Sequence, residues 1–248
     1  MNERSHFGAK TILEHLKSAR AKGKEATESH HCLETPGHLI GAADAARDVA
    51  LLTMILSILF NTLNLDLEKT LLFLSLVMFA MLLWRTGRGG LLGWNRLERL
   101  NKLIADEKHE IEHNREEEKL ELTEMYQAKG FSGPLLEKVI DVLMADDNKL
   151  LSVMLEEELG VSLESYEHPL KQAAGTAAGV FIASCFLILS LLIDRQIGPL
   201  FAGYLVIFCA SILMAKIEKI RLVNTVVWNL SLTFLATMGT YFIAKWIS

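Results

Sequence analysis

Acidic side chains are concentrated in one stretch of this 248-residue chain, and their spacing suits the collection of a metal ion. Asp106 to Glu167 carries 18 of the 30 Asp and Glu residues, with apolar segments on both sides. A helix would place four of these carboxylates on one face, because an eleven-residue step overshoots three turns by only about 20°. The four are Glu107, Glu110, Glu118 and Glu121. Like charges at this spacing destabilise a helix unless a cation neutralises them, so the pattern predicts a divalent-metal site.

The residue types indicate which ion this site would bind. Carboxylates suit Mn²⁺ and Fe²⁺, whereas thiolates favour Zn²⁺ or Cu⁺, and the acidic stretch contains no cysteine. Met154 and Glu158 lie four residues apart on a predicted helix, so a soft thioether sits one turn from a carboxylate. This pairing favours Fe²⁺ over Mg²⁺ or Ca²⁺. Composition alone leaves an alternative open, because a glutamate-rich helix is commonly a solvated face and a helical methionine is commonly core.

Three helices are predicted for the acidic stretch. The first runs from Leu91 to about Lys129 and ends at Gly130, where left-handed backbone is expected. Pro134 begins the second helix, and the third spans roughly Asn148 to Leu159. Their apolar stripes are narrow, so the core is expected to be marginal. Metal binding, or pairing with a second copy, would stabilise it.

Long apolar runs predict five membrane spans, and the fold class is therefore all-α. Three runs have the length needed to cross a bilayer, namely Ala173–Ile193, Ile197–Ala215 and Thr225–Ala244. Two shorter runs are extended by neighbouring small residues and read as a hairpin, namely Val49–Leu63 and Thr70–Trp84. The predicted domains are a polar N-terminal segment (1–37), spans 1 and 2 (38–92), the acidic helical domain (93–168) and spans 3 to 5 (169–248).

The distribution of Lys and Arg predicts the orientation in the membrane. The N-terminal 48 residues and the segments 85–102 and 216–221 carry seven, five and three Lys or Arg residues, whereas the turns 61–69 and 194–199 carry one each. We therefore expect the N-terminus and the acidic domain in the cytoplasm and the C-terminus outside. In the N-terminal segment, His30, His31 and Cys32 are metal-ligand types, but their spacing matches no zinc template.

Several sequence blocks between Leu97 and Gly179 resemble the vacuolar iron transporter family. They are the E-x-x-E-x7-E-x-x-E pattern from Glu107 to Glu121, MYQAKGF from Met125, DVLMADD from Asp141 and VMLEEELG from Val153. The resemblance implies a five-span homodimer with a cytosolic three-helix metal-binding domain between spans 2 and 3. It also implies transport of Fe²⁺, and often Mn²⁺, out of the cytosol in exchange for protons.

The resemblance also assigns metal ligands. These are Glu107, Glu110, Glu118, Glu121, Met154 and Glu158. The family pattern usually has two adjacent methionines on the third helix, and here the second is Leu155. Gly41 to Asp44 resembles the family's G-x-x-D turn in span 1, which would put Asp44 on the transport path. Span 2 lacks the carboxylate that the family pattern has there, so proton coupling lacks an obvious second acid.

Three functions are compared. The favoured one is a divalent-metal transporter in a lipid bilayer, which is not an enzyme and uses no organic cofactor. The alternative is a membrane-anchored metal buffer or sensor. A di-iron enzyme is disfavoured, although Glu110-x-x-His113 and Glu28-x-x-His31 echo a ferritin-like element. Nucleic acid is an unsuitable partner for an acidic domain. We expect a bacterial inner membrane, or a vacuolar membrane in a eukaryote.

Overall fold

The computed structural model describes residues 36–159 and 168–247. Regular structure in this part of the chain consists of eight α-helices without a strand, which confirms the all-α prediction. They are α1 (Gly37–Thr62), α2 (Leu67–His113), α3 (Arg115–Ala128), α4 (Gly133–Met144), α5 (Asp147–Glu157), α6 (Pro169–Ile193), α7 (Gly198–Ile217) and α8 (Leu222–Ile247). The histidines and the cysteine of the N-terminal segment (His30, His31, Cys32) lie outside the described residues.

The described residues form two compact units. The apolar unit comprises residues 36–93 and 168–247, and it contains α1, the first part of α2, and α6 to α8. The acidic unit comprises residues 94–159, and it contains the rest of α2 together with α3, α4 and α5.

Helix α1 makes extensive contacts within the apolar unit. It packs against α6, α7 and α8. Its buried face repeats at four- or five-residue steps through Ala45, Ala50 and Met54, which are fully buried. Small residues on this face let the neighbouring helices approach closely.

Two glycines of α6 lie against the backbone of α1. A Cβ atom at Gly175 would collide with the carbonyl oxygen of His38, and one at Gly179 would collide with that of Ala42. The G-x-x-x-G spacing in the sequence therefore serves packing between two helices of the same chain.

Four of the described helices are long and apolar enough to cross a membrane, judged by length and composition. They are α2, α6, α7 and α8. Helix α1 is not among them, and its early turns carry Asp44, Arg47 and Asp48. The assignment of α1 as a fifth span stays a prediction.

The acidic unit has a continuous but small apolar core. Seven buried side chains from all four of its helical segments pack together, namely Ile111, Leu122, Met125, Leu136, Ile140, Leu150 and Met154. Leu100, Leu155 and Leu159 form a second, smaller cluster. Local signals act as predicted at Gly130, where φ is +98°, and at Pro134, which lies in the first turn of α4.

The prediction of one helix from Leu91 to about Lys129 is wrong. Helix α2 is continuous from Leu67 to His113, and the backbone then leaves helical geometry at Asn114, where φ is −123° and ψ is 33°. Helix α3 begins at Arg115 with three glutamates in its first turn, where the helix dipole favours negative charge. The acidic unit therefore has four helical segments rather than the predicted three.

Candidate metal centre

Three glutamates from three helices converge in the acidic unit. Glu107 comes from α2, Glu118 from α3 and Glu158 from the residue that ends α5. Each offers a carboxylate oxygen, and these oxygens all lie within 4.8 Å of one another. Oxygens at such separations can bind a common divalent cation after small side-chain movements. Carboxylate oxygens are ligands that suit Mn²⁺ and Fe²⁺.

The carboxylates of this cluster are removed from solvent. Glu107 is 4% exposed, Glu118 and Glu158 are each 1% exposed, and Glu121 beside them is fully buried. Both side-chain oxygens of Glu118 are buried and accept no hydrogen bond. Burying an ionised carboxylate is strongly unfavourable unless a proton or a cation compensates its charge. The arrangement of these side chains is thus suited to an exchange between protons and a metal ion.

Burial and mutual repulsion favour the protonated forms of two of these residues. Burial, together with the charges of Glu107, Glu110 and Glu117, raises the pKa of Glu118 from 4.5 to about 8. The pKa of Glu121 is also raised, first by burial and then by the charges of Glu158 and Glu118. A cation placed among these carboxylates would reverse the effect and displace protons.

Helix α5 supplies Met154, the one candidate ligand that is not a carboxylate. Its N-terminus is capped by the Asp146 carboxylate, which accepts hydrogen bonds from the backbone N–H groups of Asn148 (3.0 Å) and Lys149 (3.4 Å). Met154 on this helix is fully buried, and its side chain belongs to the apolar core of the unit. Leu155, which stands where the family pattern has a second methionine, packs with Leu100 and Leu159 in the smaller cluster.

The six predicted ligands thus have different surroundings. Glu107, Glu118 and Glu158 meet directly. Glu121 is buried near them, since its pKa responds to the charges of the other carboxylates. Glu110 is half-buried, and its charge raises the pKa of both Glu118 and Glu121. His113, which follows Glu110 at three residues, is exposed and stacks on His109 with 4.0 Å between the ring centroids.

Asp44, the predicted transport-path residue, lies on α1 and is held by two guanidinium groups. Its Oδ1 atom lies 2.9 Å from Nη2 of Arg47, and its Oδ2 atom lies 2.7 Å from Nη2 of Arg85 on α2. From the sequence, Arg85 was one of the basic residues in segment 85–102 that predict the orientation, and its contact with Asp44 was not predicted. The sequence signal for this contact was the four-residue spacing of Asp44 and Asp48, which puts both carboxylates on one face of α1, where both pair with Arg85.

Apolar helices long enough to cross a membrane, together with a buried carboxylate cluster that could hold a metal ion, are the features expected of a membrane protein that handles metal ions. The sequence profile of the VIT family, the vacuolar iron transporter family, matches residues 95–245. Because this match covers more than half of the chain, the protein belongs to that family. Family membership indicates membrane transport of metal ions rather than enzymatic catalysis. No curated protein matches the sequence.

Proposed function

We propose that this protein transports Fe²⁺ or Mn²⁺ out of the cytosol in exchange for protons. The observation that carries the proposal is the convergence of Glu107, Glu118 and Glu158 within 4.8 Å in the buried core of the acidic unit. This cluster belongs to a member of a transporter family with long apolar helices. The acidic unit collects the ion on the cytosolic side, as the positions of the basic segments 85–102 and 216–221 favour.

The proposed ligands are the six residues named from the sequence. The three convergent glutamates form the centre, Glu121 and Glu110 supply further negative charge, and Met154 supplies a thioether that favours Fe²⁺. Because the bound metal replaces protons on Glu118 and Glu121, loading depends on pH. Asp44 lies on the proposed path through the membrane. The proposed assembly is a homodimer in a bilayer, either a bacterial inner membrane or a vacuolar membrane.

Reconstitution into liposomes tests the transport proposal. Fe²⁺ or Mn²⁺ is added outside proteoliposomes that contain a metal indicator and a pH dye, and flux is compared between the wild type, Glu118→Gln and Glu116→Gln. Glu116 is an exposed residue in the first turn of the same helix, so it controls for loss of one acidic charge. Metal entry with matching internal alkalinisation, reduced in Glu118→Gln only, supports antiport. Metal entry without a pH change contradicts the proton coupling.

A second candidate is a membrane-anchored metal buffer or sensor. The ion pairing of Asp44 with both Arg47 and Arg85 favours it, because a carboxylate already bound by two cations is a poor ion site on a transport path. Saturable Mn²⁺ binding by the full chain without flux in the same liposomes would support this candidate. Flux that depends on Glu118 would eliminate it.

A further inference from the structure

One arginine bridges two carboxylates in the apolar unit. Asp44 and Asp48 lie one helical turn apart on α1. Arg85 of α2 places Nη2 at 2.7 Å from Oδ2 of Asp44 and Nη1 at 2.9 Å from Oδ2 of Asp48. The Arg85 side chain is 13% exposed, whereas the two carboxylates are 47% and 48% exposed. The cation is therefore more enclosed than the anions that it joins.

The second oxygen of Asp44 is also engaged. Arg47 donates from Nη2 to Oδ1 of Asp44 at 2.9 Å, and from Nη1 to Oδ1 of Asn229 on α8 at 3.3 Å. The cluster thus links α1, α2 and α8 through two carboxylates and two guanidinium groups, whose formal charges cancel. Hydrogen bonds between ionised groups are stronger than those between neutral groups, and the forked guanidinium lets Arg85 donate to both carboxylates at once.

We infer that Arg85 is a tethered cation that occupies the Asp44–Asp48 carboxylate pair and competes there with the transported ion. The inference rests on the proposed function, because it concerns the ion path on which Asp44 lies. A divalent cation bound to both carboxylates would contact the oxygens that now accept hydrogen bonds from Arg85. Its charge would also be repelled by the guanidinium a few ångströms away. The metal ion and Arg85 therefore cannot occupy this position together.

The absence of a carboxylate in span 2 fits this arrangement. A carboxylate there would add negative charge to the path, whereas Arg85 of α2 adds a positive charge that neutralises Asp44 and Asp48 of α1. An ion reaches Asp44 only after the Arg85 side chain moves away. Arg85 is thus a specificity-determining residue, because it sets how strongly a cation must bind before it displaces the tethered one.

Equilibrium binding of Mn²⁺ to the full chain in detergent tests the inference without requiring transport. Bound and free Mn²⁺ are distinguished by electron paramagnetic resonance. Arg85→Gln, which keeps hydrogen-bonding groups and removes the charge, is expected to gain an Mn²⁺ site with affinity higher by about tenfold or more than any second site of the wild type. The gain should disappear in the double variant Arg85→Gln, Asp48→Asn. Because Asp48 is on α1 and outside the glutamate cluster, this loss identifies the new site.

Two further variants control the experiment. Arg47→Gln also removes one positive charge beside Asp44, but it leaves the ion pair between Arg85 and Asp48, so no new Mn²⁺ site is expected. If Arg85→Gln does not fold, Arg85→Lys replaces it. Lysine presents one nitrogen where arginine presents two, so we expect a smaller gain in the same direction. Folded Arg85 variants that bind no more Mn²⁺ than the wild type, or a gain that survives Asp48→Asn, would overturn the inference.

The two proposals fail in different ways. A wild-type protein that shows no flux, with a new Mn²⁺ site in Arg85→Gln, would refute transport and leave the role of Arg85 intact. A wild type with flux dependent on Glu118, and no change of binding in any Arg85 variant, would preserve transport and refute the competing role of Arg85.

Discussion

Glu107 and Glu118 lie on either side of the helix break at Asn114, yet a carboxylate oxygen of one lies within 4.8 Å of a carboxylate oxygen of the other. On one straight helix, eleven residues would separate them by about 16 Å along the axis. They would then share a face but could not share an ion. The break lets α3 fold back against the core that α2 also contributes to, and it converts a row of charges into a cluster.

The first prediction concerns metal binding by this cluster. Glu118→Gln removes one charged ligand while keeping the side chain's size, and we expect Mn²⁺ affinity to fall by at least about tenfold, a loss seen even for residues that only support a ligand. Titration of the full chain with Mn²⁺ measures it. Glu116→Gln, exposed on the same helix, should leave the affinity unchanged. Equal affinities for the two variants would remove Glu118 from the site.

The second prediction is a pH dependence of the metal-free protein's stability. The pKa of Glu118 is raised from 4.5 to about 8 on folding, so the folded state retains a proton that the unfolded chain has lost. The contribution of Glu118 to the free energy of unfolding is therefore fully present below about pH 4.5 and is lost as the pH rises through about 8. With metal chelated, the thermal midpoint of Glu118→Gln should exceed that of the wild type by a margin that grows between pH 5 and pH 8. Parallel curves for the two proteins would contradict the raised pKa.

The third prediction separates a ligand from a packing residue on α5. Met154→Leu conserves volume in the core, so stability should change by less than about 1.5 kcal/mol. If the thioether binds metal, Fe²⁺ affinity falls more than Mn²⁺ affinity, because Fe²⁺ is the softer of the two ions. Leu150→Met is the matched control, since Leu150 is fully buried in the same apolar cluster as Met154 and is not a candidate ligand. Anaerobic titrations measure both ions, and unchanged Fe²⁺ binding in Met154→Leu would assign Met154 to the core alone.

The fourth prediction concerns helix packing in the apolar unit. Gly179→Ala places a methyl group against the carbonyl oxygen of Ala42, and α6 must move away from α1. Overpacking of this kind destabilises by roughly 1–3 kcal/mol, which should lower the thermal midpoint in detergent. At Gly239 of α8, an added Cβ meets no atom within 4 Å, so Gly239→Ala should be neutral or slightly stabilising. A similar midpoint for both variants would contradict the close contact.

The positions of several helices could be predicted from short stretches of the sequence. Uninterrupted apolar runs predicted α6, α7 and α8 to within a few residues, because helix boundaries there depend on prolines and polar turns. Gly130 and Pro134 marked the turn before α4 for the same reason. The break at Asn114 was missed, although an asparagine followed by three glutamates within four residues is a signal for a helix start. The break was hidden because the glutamates before and after Asn114 keep the spacing of one continuous helix.

From the amino-acid sequence one can read which residue types are available, namely the carboxylates of the acidic unit, the apolar helices and the blocks that identify the family. The meeting of Glu107, Glu118 and Glu158 is visible only in the folded protein. The same is true of the bridge from Arg85 to Asp44 and Asp48. Periodicity reports the face of a helix on which a residue lies, and it carries no information about which faces of distant helices come together. That choice depends on packing of the whole chain, in which burial, close glycine contacts and charge compensation act at once.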